Sequence, residues 1–351
     1  MRNASAISLA LVSAVLFGAS TPAAKLLLRA VDPVMLAGLL YLGSGLGLGA
    51  ALAARRLLGA PRTQAPIRAG DLPWLAGAVL FGGVAGPLLL MAGLAQTPAS
   101  TAALLLNLES LATMGLAWVV FRENVDRRLL LGALAILSGA VLLSWGGGSV
   151  AGLQPGALLV AGACLAWGID NNLTRRISGA DPLQIAAVKG LVAGATTLAI
   201  GLGRGAAPPA PGILALTAVV GLLGYGVSLI CFIMALRHLG TARTGAYYST
   251  APFVGAALGV ALLGDPVTPW MALAAALMAA GVWLHLSEEH GHPHVHEPLE
   301  HEHAHAHDAH HRHGHAPGDP PGEPHTHKHR HEPLAHSHAH YPDLHHRHGH
   351  G

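Results

Sequence analysis

Glu109 is the residue whose type and position most demand a chemical explanation. It stands in Leu106-Asn107-Leu108-Glu109-Ser110, inside an apolar run at 99–121. A carboxylate at the centre of a bilayer costs roughly 3 kcal/mol on insertion scales, so something must offset it. A bound cation or a proton would do so. An ion pair would too, and Lys189 is the partner the sequence offers for one. A second polar group lies in Trp167-Gly168-Ile169-Asp170-Asn171-Asn172. Three successive side chains span roughly 200° of a helix surface, so at least one of them must face the interior of a bundle. The oxygens of Glu109, Asn107, Asp170, Asn171 and Asn172 suit a divalent cation, carboxylate supplying charge and amide supplying neutral ligands. The plainer alternative for Asp170 is a hydrated position near the membrane surface. Lys189 has no lone pair when charged, so it reads as an ion-pair or gating residue and not as a ligand.

The second chemical signal is histidine at every other position in the last part of the chain. The blocks are His290, His292, His294, His296; His301, His303, His305, His307; His311, His313, His315; His325, His327, His329, His331; His336, His338, His340; and His346, His348, His350. Imidazole is a good ligand for Ni²⁺, Co²⁺, Zn²⁺ and Cu²⁺. The i, i+2 spacing puts neighbouring rings on one side of an extended chain. The interspersed Gly, Pro and acidic residues oppose packing, so the expectation is a disordered, metal-binding tail. The plain alternative is a solubilising tail.

The remaining candidates are weaker. Lys25 is expected to snorkel to the interface near its helix end. Glu123 and Asp265 follow apolar runs and read as loop or cap residues. His238 and His285 read as interfacial polar residues. Cys164, Cys231, Met91 and Met234 could be soft ligands but read as packing. The two cysteines exclude a disulfide framework and a CxxC metal knuckle.

These residues need elements to position them. Hydrophobic residues make up 52% of the chain and charged ones 11%, against roughly 25% charged in a soluble domain. Residues 1–286 hold 8 of the 18 acidic residues, whereas the last 65 residues hold the other 10 and 23 of the 25 histidines. A membrane part therefore ends near 286. Apolar runs long enough to span occur at 5–28, 33–54, 73–95, 99–121, 128–146, 153–174, 182–203, 211–236, 242–264 and 269–286. Asp32-Pro33, Asp71-Leu72-Pro73, Thr97-Pro98, Gln154-Pro155, Asp181-Pro182 and Thr268-Pro269 read as helix starts. The first run continues through Lys25 and resembles a later segment, so it is read as a span and not as a cleaved leader.

With the N-terminus in the cytoplasm, the cytoplasmic ends hold 12 Lys and Arg and the opposite ends hold Lys25, Arg29 and Arg204. That asymmetry predicts an even number of spans with both termini inside. The two halves also look related. Phe17-Gly18 precedes Asp32-Pro33 much as Trp167-Gly168 precedes Asp181-Pro182. Met91-Ala92 leads to Glu123-Asn124-Val125 as Met234-Ala235 leads to Asp265-Pro266-Val267. Five helices per half would turn the second copy upside down, the inverted-repeat plan of secondary transporters. The expected fold class is thus an all-α membrane protein of ten helices, with repeats at 1–148 and 149–286 and a tail at 287–351. Gly45/Gly49, Gly82/Gly86 and Gly255/Gly259 are spaced for close helix packing.

The aromatic-Gly pair in the first helix of each half, the small, Thr-rich start of the fourth, and the acid that follows resemble EamA-type members of the drug/metabolite transporter superfamily over residues 5–286. The resemblance implies a ten-helix carrier of small solutes in the bacterial inner membrane. It implies proline in the fourth helix of each repeat. The second repeat has Pro252 there, but the first has Glu109. Together with the histidine tail, this makes the chain similar to the nickel/cobalt-resistance members of the superfamily.

The leading expectation is a proton-coupled exporter of Ni²⁺ or Co²⁺, with lipid, a small cation and protons as partners. No cofactor is required and no nucleic-acid partner is expected. The alternatives are an exporter of an amino acid or another small metabolite with a metal-buffering tail, and a membrane-anchored metal store. No nucleophile–base arrangement and no phosphate loop is present, so an enzyme is not expected.

Overall fold

The computed structural model describes residues 3–59, 65–121, 127–144, 154–177 and 179–286, and four tail segments at 291–296, 300–305, 325–330 and 334–339. Up to Leu286 the described residues are helical apart from turns. The helices are α1 (Asn3–Leu27), α2 (Pro33–Leu57), α3 (Leu72–Ala78), α4 (Gly86–Gln96), α5 (Ala99–Leu105), α6 (Leu108–Phe121), α7 (Arg127–Ser144), α8 (Pro155–Ile177), α9 (Pro182–Gly203), α10 (Pro211–Gly221), α11 (Ser228–Tyr248), α12 (Ala251–Leu263) and α13 (Pro269–Leu286).

The helix starts have local causes. The Asp32 carboxylate accepts from the Val34 and Met35 amides at 2.9 and 3.1 Å, and Pro33 fills the first turn where no amide hydrogen is needed. Asp181 does the same for α9 through Leu183 N at 3.0 Å. Its other oxygen takes Arg55 at 2.5 Å, which ties the end of α2 to the start of α9. Between these ends Gly45 and Gly190 face one another, and a β-carbon on either would meet the other helix's backbone. Gly255 and Gly259 likewise bring α12 onto Gly18 and Ser100, whereas Gly49 meets only the end of a leucine side chain.

Among the described residues six helical stretches are long and apolar enough to cross a membrane: Ala6–Leu27, Pro33–Leu57, Ala69–Gln96, Arg127–Ser144, Pro182–Gly203 and Pro211–Ala235. Shorter apolar helices follow at Ala251–Leu263 and Pro269–His285. The two other expected spans fall short for reasons of their own. The 99–121 run is interrupted between α5 and α6, and α8 carries Asp170, Arg175 and Arg176. On α7, Leu130, Leu134, Leu137 and Val141 form an exposed stripe at helical spacing, 42–50% accessible. An apolar stripe facing outward is what a helix against lipid requires.

The expected turn between 236 and 242 differs in form. Residues 228–248 carry helical backbone throughout. Yet the Phe232 and Tyr248 rings are 4.7 Å apart, where sixteen residues of straight helix would separate them by about 24 Å. The chain therefore folds back on itself between them, and α11 serves two successive segments.

Four irregularities recur in pairs. Val79–Ala85 between α3 and α4, and Leu222–Val227 between α10 and α11, are π-helical. The breaks at Leu106-Asn107 and Ser249-Thr250 interrupt the next segment of each half. Each second-half feature lies 143 residues after the first, from 79 to 222 and from 106 to 249. At the same offset Pro252, in the first turn of α12, stands where α6 has Glu109.

Four segments of the tail are paired as strands. Gly291–His296 (β1) pairs antiparallel with Leu334–Ala339 (β4), and Glu300–His305 (β2) with His325–Arg330 (β3). The physical reason lies in the pattern itself. Alternation has a period of two, which is the period of a strand. The register sets His292 opposite His338, His294 opposite His336, His301 opposite His329, His303 opposite His327 and His305 opposite His325. The candidates His290, His307, His311, His313, His315, His331, His340, His346, His348 and His350 lie outside the described residues, as does Glu123.

Candidate functional site

The polar residues singled out in the membrane part gather along α8, which packs on α6 and on the π-helical turn before α4, with α9 packed on that same turn. The interruption at Leu106-Asn107 is what makes room. A broken helix leaves carbonyls without amide partners, and each must be met locally. Asn107 Nδ2 donates to Leu104 O at 2.9 Å. Cys164 Sγ donates to Leu105 O at 3.6 Å, and Ser110 Oγ to Asn107 O at 2.7 Å. Asn107 and Cys164 are thereby occupied in holding the break. The Asn107 amide also points at Met278 Sδ, 3.8 Å away on α13.

Just past the break, Glu109 accepts from Asn171 Nδ2 of α8 at 2.9 Å. The same amide nitrogen reaches Thr113 Oγ1 at 3.1 Å, and Thr113 in turn donates to the Glu109 carbonyl at 2.9 Å. The partners of the Glu109 carboxylate are therefore neutral. Among the described residues no Lys, Arg or His forms an ion pair with it. Asn172 is turned to the α6 backbone, donating to Thr113 O at 3.1 Å and to Gly168 O at 2.8 Å.

Asp170 sits one residue before Asn171 and faces the other way. It forms a buried ion pair with Lys189 of α9, and its second oxygen accepts from Thr174 Oγ1 at 2.9 Å. Two alternatives raised by the sequence are thus corrected. Asp170 is not a hydrated surface group but is 5% exposed. Lys189 pairs with Asp170 and not with Glu109: α9 and α8 both pack on the π-helical turn before α4, whereas α6 packs on α8 directly. The carboxylate of Asp170 fits only because residue 82 is glycine, where a β-carbon would run into it.

The π-helical turn supplies a further group that sequence reasoning missed. The Gly82 carbonyl accepts from Tyr41 Oη at 2.8 Å and from Trp167 Nε1 at 3.0 Å. Phe17 lies edge-on to Trp167 and Tyr225, with centroids 6.2 and 6.0 Å away, and Tyr248 is 5.6 Å from Phe17. Aromatic rings thus line the wall next to the Asp170–Lys189 pair. The aromatic-Gly motif marked two of these rings, but nothing local marked Tyr41, Tyr225 or Tyr248.

Lys25 also departs from expectation. Instead of snorkelling, its ammonium donates to the carbonyls of Leu94, Ala95 and Thr97, at 2.5, 3.3 and 2.9 Å. Two carbonyls in the last turn of α4 and that of Thr97 just after it are better acceptors than the interface, and the helix dipole adds attraction there. Asp265 does cap a helix, that of α5, through Ser100 N at 2.7 Å. His285 Nε2 lies 3.0 Å from Leu129 O, joining α13 to α7. No group of three or more His, Cys, Asp or Glu able to hold a metal occurs among the described residues.

The EamA-like transporter family matches residues 4–145 and again 154–287. An uncharacterised transporter of Methanothermobacter thermautotrophicus is 28% identical over 287 residues, covering 78% of this chain and 84% of the relative. An uncharacterised protein of Pseudomonas aeruginosa is 30% identical over 265 residues, covering 75% of this chain and 87% of the relative. A solved crystal structure superposes with a TM-score of 0.58 at 22% identity, over 79% of this chain and 95% of the other, a likeness of fold.

Proposed function

The chain belongs to the EamA-like transporter family, and on that footing we propose that it is a secondary-active, proton-coupled exporter of a divalent transition-metal cation, Ni²⁺ or Co²⁺. The observation that carries this reading is the charge balance of the site. Asp170 is neutralised by Lys189, whereas Glu109 is held only by an amide. A net negative charge within the membrane needs a cation or a proton to offset it. Alternate occupation of one carboxylate by cargo and by proton is the simplest coupling such a site can perform. Asn171 and Thr113 add neutral oxygens beside it.

The histidine tail is the reason for naming a transition metal. We place it in the cytoplasm of a bacterial inner-membrane protein, where it would collect the ion before export. The repeats are assigned to 1–148 and 149–286, inverted relative to one another, with the tail at 287–351. The paired π-helical turns and paired breaks support that assignment, because discontinuous helices in corresponding positions mark the transport site in inverted-repeat carriers. The test is Ni²⁺ uptake into inverted vesicles under an imposed pH gradient. Uptake that follows the gradient and fails in Glu109→Gln is the expected result. Absence of Ni²⁺ and Co²⁺ transport by the intact chain would sink it.

One observation favours a second reading. The Asp170–Lys189 pair lies beside aromatic walls, and if it opened it would present one charge of each sign to the two ends of a zwitterion. The cargo would then be an amino acid or similar metabolite, and the tail a metal buffer. An amino acid, and not Ni²⁺, would then dissipate the proton gradient.

A further inference from the structure

Lys25 and Asp265 are far apart in sequence and close one end of the protein together. Lys25, near the end of α1, donates to Leu94, Ala95 and Thr97, the last carbonyls of α4 and the turn that follows. Asp265, just after α12, accepts from Ser100 N in the first turn of α5. A cation therefore stands at the negative end of one helix and an anion at the positive end of the next, each favoured by the dipole it faces. Between them the Thr97-Pro98 turn is held from both sides. The packing below is equally tight. A β-carbon at Gly259 would meet the Ser100 amide, and one at Gly255 would meet the Gly18 carbonyl.

Exposure changes along this segment. All of α5 except Thr101 is buried, with Ser100 at 0%. From Leu108 to Leu116 every residue is partly exposed, and Asn171 opposite them is exposed. The chain is thus packed more tightly on the Lys25–Asp265 side of the Leu106-Asn107 break than beyond it. The sequence carries a matching pair of charges in the other half. Arg175 follows Trp167 by the same eight residues as Lys25 follows Phe17, and Glu123-Asn124-Val125 matches Asp265-Pro266-Val267.

We propose that Lys25 and Asp265 form the outer gate of the carrier, closed in this structure, and that outward opening requires the α4–α5 turn to leave both charges. This rests on the transporter reading and its orientation, but not on the identity of the cargo. The gate is opened when the capping bonds are lost and the two dipole ends become hydrated, so weakening either cap should favour the outward-open state.

The test uses Ser100→Cys in the full-length chain with Cys164 and Cys231 replaced by Ser. Ser100 Oγ is buried without a hydrogen-bond partner, so a thiol there sacrifices no bond. In right-side-out vesicles a membrane-impermeant maleimide should label this thiol slowly. Adding Lys25→Gln or Asp265→Asn should speed labelling about tenfold or more, the population shift expected from losing a charge-assisted bond. Lys25→Arg should stay slow. Asp265→Asn keeps its shape and an acceptor oxygen, so it serves should Lys25→Gln fail to fold. Folded variants that melt earlier but label no faster would show a merely structural clamp and overturn the proposal. Labelling needs no cargo, so a chain that moves neither Ni²⁺ nor an amino acid would refute the function proposed above without touching this result.

Discussion

Lys189 of α9 and Asp170 of α8 form an ion pair within the membrane part, their side chains 10% and 7% exposed. A pair in such surroundings is held by mutual need: each charge is costly to bury alone, and the attraction between them repays the cost only when both are present. Thr174 completes the arrangement by meeting the second carboxylate oxygen.

Removing one partner should therefore hurt far more than removing both. Lys189→Met leaves Asp170 buried and uncompensated, and should destabilise the folded protein by about 3–5 kcal/mol. Lys189→Met with Asp170→Asn should recover much of that loss. Thermal unfolding of the four proteins in detergent forms a double-mutant cycle, and additive losses would show that the pair is not coupled.

Glu109→Gln tests a charge without disturbing a contact. Glutamine still accepts from Asn171, so the melting temperature should change little. Proton-driven transport should fall at least about tenfold if the carboxylate provides a bond made only with the ion. The sign of the pH dependence follows from competition. Deprotonated Glu109 binds a cation and protonated Glu109 releases it, so cation affinity in the parent should rise with pH. In the protein shortened to residues 1–286, where no tail histidine binds the ion, that slope should vanish on Glu109→Gln. Equilibrium binding of Ni²⁺ across a pH series measures both, and an unchanged slope would remove Glu109 from the coupling step.

Gly82→Ala places a methyl group where the Asp170 carboxylate lies. Overpacking of this kind costs about 1–3 kcal/mol. The carboxylate must also shift relative to Lys189, so transport should fall beyond what the stability loss explains. Gly49→Ala is the control, since its β-carbon would only graze Leu191. The two variants should separate clearly in a melting curve.

Much of this arrangement could be read from the sequence, and what could not has physical causes. The helix starts at Pro33, Pro155, Pro182 and Pro269 fall at the Asp-Pro, Gln-Pro and Thr-Pro pairs, because capping is local chemistry. Glu109 and Asp170 stood out because an acid among apolar residues has few innocent explanations. Which base served which acid was not legible. Lys189 is two turns into α9, and only the placement of α9 and α8 about the π-helical turn before α4 decides for Asp170. The break at Leu106-Asn107 was equally hidden, since the carbonyls it frees are met by Asn107, Ser110 and Cys164, residues that look ordinary in one dimension. Lys25 was misread for a related reason. Its position near a helix end suggests the interface, while its actual partners belong to a helix about 70 residues away. In the tail the alternating histidines were plain, but the same period of two serves a free chain and a strand ladder alike.

The tail should be separable from the membrane part in both metal capacity and stability. Deleting residues 287–351 removes 23 of the 25 histidines and none of the bonds around Glu109, Asp170 or Lys25. The truncated protein should therefore melt close to the parent. At four imidazoles per ion, the parent should bind about five Ni²⁺ through its 21 alternating histidines, and the truncated protein about one or none. Addition of a chelator should release the tail-bound metal from the parent without lowering its melting temperature. Titration calorimetry in detergent, with and without the tail, makes the comparison. If export is the function, the truncated protein should still move Ni²⁺ at saturating concentration but should do so poorly when the ion is scarce. Transport lost at every concentration would make the tail part of the translocation path instead of a collector, and transport unchanged at low concentration would reduce it to a store.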